Sequence, residues 1–187
     1  EANGYITYAE TGTLWTVGTS TLFTTLVVYP STLAALEIWN GSTTFEYEVV
    51  DLYASHILAT AVLQGFAIFA QVSKPVAAGP SVTALTVFSN NGLQSYSAGA
   101  GSGRLVTGVG TTMVANGWRP WGNGITPVVD AATPSISWSA EVNGKLVVPP
   151  QCALCIHVVG SLATASSFQC GATLLERTIL GTDRLTA

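Results

Sequence analysis

Three cysteines and a histidine give the chain its sharpest chemical possibility. Cys152 and Cys155 form a C-x-x-C, His157 follows two residues later, and Cys170 completes a nominal Cys3His set of the kind that holds tetrahedral zinc. The spacing counts against that use. Cys155 and His157 fall on a stretch that reads as a strand, whereas a short zinc site holds its C-x-x-C in a turn where both sulfurs converge. A redox C-x-x-C needs a helix N-terminus to lower the thiol pKa, and Pro149-Pro150-Gln151 leads into a strand instead. The thiols are therefore expected to be buried and inert, since free Cys behaves as a small hydrophobe. An odd cysteine count also argues against a disulfide framework. Neither a metal nor a cofactor is expected.

Other catalytic patterns are weaker still. The two histidines, His56 and His157, stand in no G-x-S-x-G context. Glu46, Glu48 and Asp51 nominally supply paired carboxylates for glycoside hydrolysis, but Glu46 and Glu48 share one face of an edge-like strand and read as a solvated face. Gly99, Gly101 and Gly103 have no G-x-x-x-x-G-K and no following helix, so a phosphate cradle is not expected. Trp118, Trp121 and Trp138 have the chemistry to stack on sugar rings, and equally to anchor a protein interface or fill a core. No enzymatic activity is expected.

Charged residues make up only 9% of the chain, against roughly 25% in an average soluble domain. Hydrophobic residues reach 48%, and mean hydropathy is +0.45. A membrane would explain this, but a spanning helix needs about 18 or more uncharged apolar residues. The best run, 57–70, contains Gln64 and Gly65 and is closed by Lys74-Pro75. Nucleic acid is equally disfavoured. Net charge is −4, and the six cations Lys74, Arg104, Arg119, Lys145, Arg177 and Arg184 are scattered singly, while phosphate neutralisation needs clusters. The chain opens at Glu1 with no Met and no leader pattern, as a processed or trimmed start would.

These residues must be carried by strands. β-Branched and aromatic residues alternate with small polar ones, and Gly, Pro, Asn or Ser clusters interrupt them about every ten residues. Strands are expected over 5–8, 13–17, 21–29, 35–39, 45–53, 65–73, 81–88, 104–107, 111–115, 135–141, 145–148, 153–159 and 166–176. Asn40-Gly41 and Asn143-Gly144 read as hairpin turns, because the pair supplies the positive φ that tight hairpins demand. Strand 45–53 begins amphipathic and ends mixed, and Leu52, His56, Ala59 and Leu63 also suit a short helix. Residues 89–103 and 118–124 read as loops. Strand 153–159 is apolar on both sides, as expected where a second subunit covers the outer face of a two-layer sandwich. The fold class is all-β: one antiparallel, jelly-roll-like β-sandwich over 1–187, with at most one short helix and a tail from about 178 to 187.

In the closing third, KLVVPPQCAL at 145–154, IHVVG at 156–160 and FQCGA at 168–172 form a series of strands. This series resembles the last strands of jelly-roll structural proteins of tailed bacteriophages. The resemblance implies a virion component: a cement or decoration protein, a trimer on the capsid surface that clamps major capsid subunits. Scarce charge agrees with it, because a shell protein gains stability by burying neutral surface against symmetry mates. Two further roles fit an uncharged β-sandwich, a carbohydrate- or receptor-binding module and a subunit of an extracellular filament.

Overall fold

The computed structural model describes residues 13–19, 23–26, 28–30, 34–58, 64–74, 87–89, 95–96, 105–108, 117–126, 137–160 and 166–179. The expected strands 5–8 and 111–115, the glycine run at 99–103 and the tail beyond 179 lie outside them. The described residues form strands β1 (Leu14–Gly18), β2 (Phe23–Thr24), β3 (Leu36–Asn40), β4 (Phe45–Leu58), β5 (Gln64–Ser73), β6 (Val87–Ser89), β7 (Ser95–Tyr96), β8 (Leu105–Gly108), β9 (Arg119–Thr126), β10 (Ser137–Glu141), β11 (Val147–Val148), β12 (Ala153–Gly160) and β13 (Ser167–Thr178), with no helix among them.

Two antiparallel sheets pack face to face. Sheet A runs β10-β4-β13-β1-β6-β7, with β11 also on β4 and β2 on β13, and sheet B runs β8-β3-β12-β5-β9. The nested orders β10-β4-β13-β1 and β3-β12-β5-β9 are those of an eight-stranded jelly roll: the first and last strands pair, and the chain repeatedly crosses between sheets. Of the five remaining strands, β6, β7 and β8 all come from the connection between β5 and β9. That connection crosses to the far side of the sandwich and extends sheet A beside β1 and sheet B beside β3.

Alternation places Trp15, Val17, Phe168, Cys170, Ala172 and Leu174 of sheet A against Leu36, Ile38, Phe66, Ile68, Leu154 and Ile156 of sheet B. Each fully buried large side chain contributes about 1.5–3 kcal/mol. In β4 the inward set changes phase, from Tyr47 and Val49 to Leu52 and Ala54. Bulges produce the change: Val49 opposes Leu174 while Asp51 opposes Thr173, so Val50 is an extra residue, and a second irregularity skips Ile57. The expected helix at 52–64 is therefore corrected as far as Leu58. Leu52 and His56, four apart, share a strand face as readily as a helix face.

Both hairpins are also corrected. Asn40-Gly41 joins β3 in sheet B to β4 in sheet A and is a crossover between sheets. Asn40 is fully buried and holds that corner: Nδ2 donates to the Phe45 and Val148 carbonyls at 2.9 and 3.0 Å, and Oδ1 accepts from Ser42 N at 3.0 Å. Asn143 and Gly144 do take positive φ, 48° and 75°. Yet β10 and β11 both pair with β4, so their turn is an outward kink in one edge rather than a reversal. The Val50 carbonyl, freed by the bulge, accepts from Val142 N and Asn143 N at 2.9 Å each.

The expected loop at 118–124 is largely edge strand β9, with Trp121 an extra residue between the Pro120↔Phe69 and Gly122↔Ile68 pairs. Pro120 removes one ladder donor, which an edge tolerates. At Gly122 an added Cβ would come 2.8 Å from the Ala140 Cβ of β10, so the two sheet edges meet there. Residues 95–96 of the expected loop 89–103 form β7.

Gly18 and Gly171 oppose one another on β1 and β13, and the Tyr53 ring lies over both while its hydroxyl donates to the Val17 carbonyl at 3.2 Å. A methyl at 171 would meet that carbonyl, which cannot swing away. Gly171→Ala should cost at least about 2 kcal/mol; a denaturant midpoint equal to wild type would show that the strands part easily.

Candidate functional site

The C-x-x-C does not converge. Cys152 packs toward the core between the sheets, while Cys155 lies in a second cluster on the outer face of sheet B. Residues three apart along extended chain point to opposite faces. Cys170 is in sheet A. Among the described residues no group of three or more His, Cys, Asp or Glu has the placement to hold a metal ion.

Burial raises all three thiol pKa values. For Cys155 burial is the main cause, and the Glu37 carboxylate adds to it; for Cys152 the Lys74 ammonium partly opposes it. They persist as thiols at neutral pH, and only Cys152 is partly exposed. A thiol-specific reagent should therefore modify at most one cysteine quickly in the folded chain and all three in denaturant. Rapid modification of two or more would contradict the packing.

Neither imidazole is placed to serve as a catalytic base toward solvent. His56 is tilted on Phe66 at 4.8 Å between ring centroids, and His157 on Phe168 at 5.8 Å. His157 Nδ1 lies 2.9 Å from Val158 N and 3.1 Å from the Val158 carbonyl oxygen, which accepts from the ring when that nitrogen carries a proton. Burial lowers the His157 pKa, partly opposed by the Val158 backbone contact.

Of the carboxylates, Glu46 is buried, and Glu48 meets Arg177 Nη1 at 2.9 Å. Their strand is interior, flanked by β13 and by β10 and β11, which corrects the edge-like reading. Trp118 is fully buried, with Trp39, Ala153 and Cys155 around it, and so offers no face to a sugar. Trp121 and Trp138 pack against the main core, and Trp138 stacks on Phe66 at 5.6 Å and 27°.

A polar row that strand texture concealed crosses the outer face of sheet B. Glu37 on β3 and Gln71 on β5 oppose Cys155 from its two sides, and both are buried. Gln71 Oε1 accepts from Ser73 Oγ at 3.4 Å, and its Nε2 has no hydrogen-bond partner among the described residues. The cover over this face comes from the chain itself: Ala34 and Trp118 pack on it, and Tyr29 sets its ring edge-on to Phe69. The outer face of β12 at Ala153 and Cys155 is thus filled within one chain, and no second subunit is needed to bury it.

Comparison with protein-family models and with curated proteins returns no match. No helix among the described residues is long and apolar enough to cross a membrane.

The His157 arrangement has a pH consequence. The folded pKa lies below the ordinary 6.5, so the unfolded chain binds the proton first, and stability falls as pH drops below about 6.5. His157→Gln should flatten the stability profile between about pH 6.5 and 5; equal slopes for variant and wild type in chemical denaturation would refute this.

Proposed function

We propose that the chain is a structural protein of a virion shell, a cement or decoration protein that stabilises the capsid through contacts with major capsid subunits and with its own copies, the trimer being the favoured form. The observation that carries the reading is a jelly roll whose chain is only 9% charged. A fold alone assigns no function, but this pairing is one that assembly rewards: a rigid sandwich with a neutral exterior loses little on desolvation when it meets a neighbour. Its placement is the capsid surface.

The β9 and β10–β11 edges support the same reading. Pro120 and the Trp121 bulge interrupt one, and the Asn143-Gly144 kink interrupts the other. Such devices block strand-to-strand addition, so contacts with neighbours fall to sheet faces and loops, where geometry can be specific. Burial of Trp118 and the packing of Trp121 and Trp138 against the core weigh toward this reading over a sugar-binding role.

Purified particles from the native source should contain the chain in stoichiometric ratio to the major shell subunit. Particles lacking it should release their contents at lower temperature. Absence of the chain from the particles, or unchanged particle melting without it, would reject the proposal.

A further inference from the structure

The two faces of the sandwich carry surfaces of opposite character. On the outer side of sheet B, the exposed large hydrophobic side chains among the described residues are the adjacent pair Val28 and Tyr29, 65% and 51% exposed. Arg119 is locked beside them. The Trp118 carbonyl accepts from both the Tyr29 hydroxyl and Arg119 Nη1, the latter at 2.8 Å, and Pro120 follows on the exposed edge. Apolar surface, a tyrosine and an arginine held by a shared acceptor form a preorganised knob of the composition that anchors protein interfaces.

On the outer side of sheet A, Asp51 of β4 and Glu141 of β10 stand directly opposite one another. Like charges at paired positions destabilise a sheet. Their row continues through Thr173 and Thr16, which bring no cation, and the described ion pair of this sheet, Glu48 with Arg177, lies elsewhere on it. Asn143 Nδ2 reaches Glu141 at 3.5 Å, which does not offset a second negative charge.

From this charge complementarity we infer that the occupant of the Val28–Tyr29–Arg119–Pro120 knob is a second copy of this chain, docked through its Asp51–Glu141 pair. The guanidinium lies against the two carboxylates, and Val28 and Tyr29 rest on the flat, short-chained surface beside them. Val28 and Tyr29 lie outside sheet B and the acidic pair outside sheet A, with Arg119 at the β9 edge beside the Tyr29 hydroxyl, so one twofold axis cannot satisfy both contacts at once. The contact is heterologous, and copies related by it form a ring of three or more where the rotation between them closes. The inference rests on the shell-protein reading for its setting, and it names the surfaces through which copies of that protein meet.

The test uses the purified full chain, with mass measured by light scattering and sedimentation at micromolar concentration. Wild type should form a discrete oligomer that weakens as salt rises. Arg119→Glu and Glu141→Arg should each raise the dissociation constant at least tenfold, and Val28→Glu should do so without reversing a charge pair. The combined Arg119→Glu/Glu141→Arg variant should recover association. All three substitutions are at exposed positions, and near-ultraviolet circular dichroism confirms folding. A monomeric wild type, single variants that associate like wild type, or a double variant no better than the singles would each overturn the inference. Presence of the chain in particles is measured separately, so failure here and failure of the shell reading are told apart.

Discussion

The pairing of β4 with β13 at the centre of sheet A is the constraint from which the rest of the sandwich is arranged. These two strands run side by side from Phe45 to Leu58 and from Ser167 to Thr178. A strand can bury only one of its two alternating faces in a single core, yet β4 carries inward residues of both parities. The extra residue at Val50 resolves the conflict by turning the strand half a repeat, so that Tyr47 and Leu52 enter the same core. Its cost is a carbonyl displaced from the regular ladder. The kink between β10 and β11 supplies that carbonyl with two donors, and the edge strand is bent as a result.

Polar groups are used where the chain changes sheet or crowds a backbone. Asn40 replaces water for the carbonyls of Phe45 and Val148 at the β3–β4 crossover, where two sheets and the start of a third segment converge. Buried amides of this kind stabilise only when their bonds are made, and Asn40 makes them from both ends of its side chain. Tyr53 plays the complementary part outside, laying its ring over Gly18 and Gly171 and closing the gap two missing side chains would leave. Burial raises its hydroxyl pKa, with Cys170 and Asp51 adding to the effect, and the bond to Val17 uses the protonated form.

The low charge acquires a location from this arrangement. Part of the apolar excess is spent within the chain, where Ala34, Trp118 and Tyr29 build a second packed layer on the outer face of sheet B. That layer leaves Val28 and Tyr29 exposed, with Arg119 at the neighbouring β9 edge, while Asp51 and Glu141 stand on the outer side of sheet A. A shell subunit of this form would draw specificity from a few charges set in neutral surroundings, where each counts for more than on a densely charged surface.

Strand identity and the all-β class were legible in the sequence, because alternation and turn residues act within a few positions. The strands near 14, 36, 45, 64, 105, 137, 147, 153 and 167 reflect that local physics. The failure of the C-x-x-C to converge follows from the same extended spacing, which puts Cys152 and Cys155 on opposite faces. Partner choice was not legible. Asn-Gly favours positive φ equally in a hairpin and in an edge kink, so only the presence of β4 beside both β10 and β11 decided which it was. Pro and Gly in 118–124 signalled a loop, and the free edge of β5 made it a strand that tolerates both. The same limit applies to the polar row, since Glu37 and Gln71 are far apart in sequence and share an environment only because β12 runs between them. The sequence by itself determined which segments would be extended and which faces needed cover. The tertiary structure decided what covers them, because burial and charge pairing depend on neighbours that no local window of residues contains.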